Sequence, residues 1–320
     1  MRKVTKKWLI LATSLILVGG LIFGGVIAIL KWDFTKLSTV KYQTNTYEIG
    51  DAFTNISIKT DTADIIFALS DDGKCKVECY EEENAKHSVT VKDGTLTVEL
   101  IDKKAWYDYI GINLGSPKIT VYLPKTEYSS LLIKEHTGDI VMPKDFNFED
   151  VNISLSTGDV DFCASALRLI KIKTSTGDIR VENISVGALD LSVSTGKVTV
   201  TGANCVGDIT VGVSTGKAYF TDVKCNNITT NGNTGDITFK NVVAKQNFSI
   251  ERSTGDVTFD SCDATEISVK TDTGDVRGSL LSGKKFITTT DTGDIKVPKT
   301  VSGGKCEITT NTGDIKITLK

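Results

Sequence analysis

A tripeptide, Thr-Gly-Asp or Thr-Gly-Lys, occurs ten times in the 320 residues, and its spacing restricts the fold more than any other feature of the chain. The threonine–glycine pairs are Thr137-Gly138, Thr157-Gly158, Thr176-Gly177, Thr195-Gly196, Thr215-Gly216, Thr234-Gly235, Thr254-Gly255, Thr273-Gly274, Thr292-Gly293 and Thr312-Gly313. They follow one another at 19 or 20 residues throughout. Chance does not produce that register. A fixed period of this length means one structural unit stacked many times.

Aligning the units on the glycine exposes a second pattern. Seven and five residues before it stand Val151/Ile153, Ile170/Ile172, Leu189/Leu191, Ile209/Val211, Phe248/Ile250 and Ile267/Val269. Two and four residues after it stand Val160/Phe162, Ile179/Val181, Val198/Val200, Ile237/Phe239 and Val257/Phe259. Polar residues such as Asp161, Arg180 and Thr238 fill the gaps. Alternation with period two on β-branched and aromatic residues specifies half-buried strands, not helices. A coil this short cannot bury its inward row alone; stacked on its neighbours, it joins one continuous core. The expected fold is therefore all-β: a parallel β-solenoid, β-helix-like, of about ten 19–20-residue coils. At ~4.8 Å per layer, ten coils make a rod on the order of 45 Å long. The leucine and asparagine signature of a leucine-rich repeat is missing.

The corner residues have structural roles that follow from their chemistry. Glycine allows the positive φ of a sharp turn, and threonine hydroxyls and aspartate carboxylates bond nearby backbone groups. The same carboxylates, Asp139, Asp159, Asp178, Asp236, Asp256, Asp275, Asp294 and Asp314, form a ladder that one strand spacing brings within reach of a shared calcium ion. Lys197 and Lys217 interrupt it, and the glycine-rich nonapeptide of calcium β-rolls is absent, so the structural role is preferred and no metal or cofactor is expected.

Upstream, residues 43–135 are strand-rich but irregular. Asp61-Thr62-Ala63-Asp64 copies the corner with alanine for glycine. Asp93-Gly94 between Val89/Val91 and Leu96/Val98/Leu100 reads as a hairpin, and Pro124 ends the strand Ile119–Leu123. A solenoid end needs cover, and 43–135 is the expected N-terminal cap, leaving 136–320 as the repeat proper and an edge at the carboxyl end.

Trp8–Leu30 is 23 residues without a charge, roughly 34 Å as helix, and reads as one uncleaved transmembrane anchor at 8–30. Arg2, Lys3, Lys6 and Lys7 place residues 1–7 in the cytoplasm, with a linker at 31–42 and the remainder outside. Gly20, Gly24 and Ala28 form a small-residue stripe through which two anchors can pack as an oligomer. Of 37 basic residues, five precede Trp32; the 32 that follow face 40 acidic ones, a net of −8 that argues against nucleic acid as a partner.

No catalytic motif, phosphate loop or zinc spacing is present. The two histidines, His87 and His136, read as surface residues. Cys75 and Cys79 are too far apart on a strand to bond each other, Cys205 and Cys225 fall in neighbouring coils, and most of the seven cysteines read as small buried fillers.

The anchor, the "ITVYLP" strand at 119–124 and the serial "STGDV/STGDI" corners together resemble a bacterial family of β-strand-repeat domains of unknown function labelled "putative adhesins". The resemblance spans about 45–320 and implies an envelope location with no catalytic residues to carry over. The leading expectation is a membrane-anchored, extracytoplasmic, non-catalytic interaction or adhesion module, accessory to envelope-stress sensing, whose partner is a cell-wall polymer or envelope protein. The alternatives are a polysaccharide-acting β-helix enzyme and a calcium-stabilised adhesin.

Overall fold

The computed structural model describes residues 3–32, 40–102 and 115–320. Parts of the expected cytoplasmic end (1–2), linker (33–39) and cap (103–114) lie outside the described residues. The chain opens with helix α1 (Lys3–Ile29) and is otherwise strand-rich. Within α1, Thr5–Ile29 is long and apolar enough to cross a membrane, and side chains such as Leu15, Leu21 and Ile29 are exposed.

The repeat is a β-solenoid of about ten turns. Strands before each corner pair in parallel and in register: Ile153 lies beside Ile133 and Ile172, and Leu191 beside Ile172 and Val211. Strands after each corner do the same, with Val160, Ile179 and Val198 in one row. Inward residues are buried to the last coil, from Ile56 to Ile317 in one contiguous cluster. Phe220, Phe239 and Phe259 stack along the axis with centroids 4.8 and 5.5 Å apart, and Phe248 meets two of them edge-on. Such offset and T-shaped contacts add to the burial of each ring.

Each coil has a third short side, which the inward rows before and after the glycine do not reveal. Six residues past the glycine the backbone turns again with positive φ at Asn183, Gly202, Asp222, Asn241 and Ser261. Asparagine and aspartate tolerate this conformation better than other side chains. The side that follows is also in register: Val223 and Cys225 lie beside Val242 and Ala244.

Stacking order departs from chain order at both ends. The strand Glu266–Thr273 pairs with Lys305–Thr312, and Lys305–Thr312 in turn pairs with Lys285–Thr292. The final coil is thus slotted between its two predecessors. Apolar content explains the arrangement: Cys306, Ile308 and Ile315 reach 0 % exposure when covered on both sides, whereas the displaced coil presents Thr288 and Thr290 and keeps Ile287 and Ile295 exposed. The open carboxyl-side edge expected at 315–320 is accordingly formed instead by Lys285–Thr292 and Ile295–Lys296.

The amino-side end repeats the device. Its strands are β1 (Tyr42–Ile49), β2 (Asn55–Lys59), β3 (Asp64–Leu69), β4 (Cys75–Glu82), β5 (Ala85–Lys92), β6 (Thr95–Asp102) and β7 (Lys118–Leu123). The pair β2/β3 docks on residues 130–134 and 140–141, and β6/β7 lies on its far side. Antiparallel strands then close this end: β5 on β6, and β4 between β7 and β1. The β5–β6 turn is the expected hairpin, with φ of 49° at Asp93 and 70° at Gly94. Strands β4 and β5 share a single backbone pair, Glu82 with Ala85, before diverging to different partner strands.

Candidate functional site

The ten corners line up along the axis, in the order 138, 158, 177, 196, 216, 235, 255, 274, 313, 293, with Ala63 ahead of Gly138. At Gly235, φ is 122° and a Cβ would run into the Gly216 carbonyl oxygen, so the close approach of layers itself demands glycine. Nine of the ten glycines, Gly293 on the outermost coil excepted, donate their N–H to the threonine carbonyl of an adjoining coil, as from Gly177 to Thr195 at 3.0 Å. All ten corner threonines are exposed. Hydroxyls that reach glycine carbonyls come from threonines three residues before the glycine: Thr174, Thr271, Thr290 and Thr310.

The aspartates are committed to the backbone. Asp139 Oδ1 accepts from the Asp159 N–H at 2.8 Å, Asp159 from Asp178 at 2.7 Å, and Asp178 from Lys197 at 2.8 Å. Further along, Asp236 accepts from Asp256, Asp256 from Asp275, Asp275 from Asp314, and Asp314 from Asp294. The interrupting lysines turn their ammonium groups onto the same ladder, Lys197 to Asp178 at 3.0 Å and Lys217 to Asp236 at 2.8 Å. The Lys217 hydrogen bond, aided by the Asp256 N–H, holds the Asp236 carboxyl below its ordinary value. One oxygen of each ladder aspartate named as an acceptor is therefore already engaged.

Between corners, the outward positions form flat polar rows. One row runs Asn152, Lys171, Asp190, Thr210, Thr229, Ser249, Ser268, and its last four members are short exposed hydroxyls. Of the surface clefts, three adjoin the rows or the cap. The largest, about 870 Å³, lies at the cap between Glu48–Phe53, Ser70–Lys76 and Tyr122–Tyr128. A second, about 610 Å³, runs across five coils past Tyr128, Phe148 and Val186, with Leu167 and Val206 each 74 % exposed. The third, about 440 Å³, is polar and lined in part by Arg252. That arginine is 2 % exposed and donates from Nη1 to the Val213 carbonyl at 2.7 Å, while its Nε and Nη2 have no partner.

Two ionisable clusters were not recognised in the linear pattern. Glu135 is buried under the first corner, where Oε1 accepts from the Ala63 N–H at 3.1 Å. Burial, with help from Asp64 and Asp139, pushes its carboxyl up to about 8. His87 is not a surface residue: it is 4 % exposed, because it shares strand parity with Val89 and Val91 and so faces inward. Its Nδ1 lies 2.7 Å from Glu81 Oε2 and its Nε2 2.9 Å from Thr60 Oγ1. A carboxylate can only accept, so Nδ1 donates a proton to the hydrogen bond with Glu81. Burial works to raise the Glu81 carboxyl, but hydrogen bonds from His87 and Asn45 outweigh it and hold it low. Hydroxyl, imidazole and carboxylate stand in hydrolase order, but Thr60 is 6 % exposed and lines none of the three clefts described. His136, by contrast, is exposed and lies 3.2 Å from Asp61.

All seven cysteines are free. Six are buried and Cys163 is half-buried. Burial alone pushes the Cys75 thiol up to about 12, and burial with Cys205 and Asp208 does the same for Cys225. Cys75 and Cys225 are packing residues, not nucleophiles.

An apolar N-terminal helix and a stacked β-solenoid with flat polar outward rows define a β-solenoid repeat protein. The chain belongs to the Toastrack DUF4097 family, whose model matches residues 53–210 and 198–320. No curated protein matches it. Among solved structures, it is similar to a protein of Parabacteroides distasonis ATCC 8503 named as a putative lipid binding protein, with 18 % identity, TM-score 0.47, and 75 % of this chain and 98 % of that one covered. A putative adhesin of Bacteroides fragilis NCTC 9343 shows 16 % identity and TM-score 0.39 over 87 % and 97 %. A putative adhesin of Parabacteroides merdae ATCC 43184 shows 13 % identity and TM-score 0.45 over 88 % and 98 %.

Proposed function

We propose that the chain is a membrane-anchored, non-catalytic interaction module of the bacterial cell envelope. In this reading residues 8–30 span the membrane, 1–7 lie in the cytoplasm, 31–42 form a linker, and the cap (43–135) and repeat (136–320) stand outside. The exposed apolar surface of α1 and the basic cluster before it support the anchor and its orientation. The observation that carries the interaction role is the row Thr210, Thr229, Ser249, Ser268: hydroxyls repeating at one strand spacing on a flat face, suited to a polymer with its own repeated hydroxyls. Calcium loses support because the ladder carboxylates already serve the backbone and the interrupting lysines. A polysaccharide-cleaving site loses support because the hydroxyl–imidazole–carboxylate set is sealed in the core.

The test is co-sedimentation of residues 40–320, which hold the whole contiguous core, with purified cell-wall sacculi. Retention that falls several-fold in the double variant Thr229→Glu/Ser249→Glu supports the reading. Absence of retention on sacculi and on envelope extracts alike overturns it.

A further inference from the structure

The corner where the cap meets the first coil brings together three side chains of metal-binding chemistry. Cys79 and Glu81 lie two apart on β4 and face inward, and His87 faces inward from β5. The sulfur, a carboxylate oxygen and a ring nitrogen all lie within 4.8 Å of one another, and Cys79, Glu81 and His87 are 0 %, 1 % and 4 % exposed. We infer that Cys79, Glu81 and His87 form a structural binding site for a zinc-type divalent cation, which ties β4 to β5 at the inner corner of the cap.

Chemistry and support both fit. A thiolate, a carboxylate and a neutral imidazole together neutralise a divalent charge, which a buried site requires. Tetrahedral zinc, with bonds of about 2.0–2.3 Å, places its donors about 3.2–3.8 Å apart, and the three donors here, all within 4.8 Å of one another, reach that spacing by small side-chain adjustments. Binding releases the Cys79 proton to solvent, and the His87 proton moves from Nδ1, which takes the metal, to Nε2. Nε2 then donates to Thr60 Oγ1, 2.9 Å away, and Glu81 Oε1 stays held by Asn45 Nδ2 at 2.5 Å. Outer contacts of this kind fix the ring and carboxylate that bind a metal. One coordination position is left to water. The mechanical need is equally local. Strands β4 and β5 share only the Glu82–Ala85 pair before turning to different partners, β4 to β1 and β7 and β5 to β6, and a cation held from both adds a second tie between them.

The test uses the full chain purified in detergent. One equivalent of zinc after growth in zinc-supplemented medium, a melting temperature lowered by chelator and restored by zinc alone, and a thiolate-to-cobalt absorption band on Co²⁺ exchange are expected. Cys79→Ser abolishes the band, and His87→Gln weakens metal retention by about tenfold or more. Asp159→Asn, which alters the exposed ladder, leaves the metal content unchanged. Far less than one equivalent of metal with no chelator effect on melting overturns the inference, as does a cobalt band that survives Cys79→Ser or loading lost in Asp159→Asn.

Discussion

Two residues isolate what the corners need. Asp159 accepts the Asp178 N–H across the layer boundary, and its own N–H is taken by Asp139. If the carboxylate acts as a hydrogen-bond acceptor and not as a charge, Asp159→Asn stays within about 0.5 kcal/mol of the native stability, while Asp159→Ala costs about 1 kcal/mol. Denaturant unfolding of the two variants checks this. Glu135 adds a pH dependence of definite sign. Its carboxyl sits at about 8 in the fold against an ordinary 4.5, so between those values the folded protein keeps a proton that the unfolded chain has released. Its contribution is therefore fully present below about 4.5 and is lost as pH rises towards 8. From 4.5 to about 8, at about 1.4 kcal/mol per pKa unit, the loss is on the order of 5 kcal/mol. Glu135→Gln removes that slope and raises stability at pH 8; unfolding free energies at pH 5 and pH 8.5 for both proteins are the measurement.

At the scale of single coils, what is inward and apolar takes the position covered on two sides. The coil built on Ile308, Ile315 and Ile317 lies inside, and the one carrying Thr288 and Thr290 lies outside, although the chain makes them in the opposite order. Deleting residues 298–320 should therefore disturb more than the deleted layer. The strand Lys285–Thr292 loses its partner, and hydrogen exchange in 285–297 rises towards that of an unfolded segment while 147–273 stays protected. In a stack ordered as the chain runs, 285–297 would stay docked on 266–280 and keep its protection. The spacing of corners could not reveal this exchange, because Thr292-Gly293-Asp294 and Thr312-Gly313-Asp314 are interchangeable as corners and only the contest between their inward rows decides.

The molecule as a whole was legible where one rule repeats and obscure where it breaks. The period and the paired apolar rows sufficed for a solenoid, its direction of pairing and its inward face. The second corner escaped because Asn183, Gly202, Asp222, Asn241 and Ser261 share a backbone conformation but four different side chains. His87 escaped because Lys86 and Ser88 make its surroundings look polar, although its parity with Val89 and Val91 was there to be read. Its partners Glu81 and Thr60 lie 6 and 27 residues away, joined only by the way the cap folds over the first coil. The slotted last coil has a consequence for how the protein is made. A chain emerging from the ribosome cannot seat residues 285–297 until the tail behind them is free, so the tail acts as a keystone. A copy clipped between residues 297 and 305 loses the layer on which residues 285–297 rest, and is left with two ragged layers for a protease to grip.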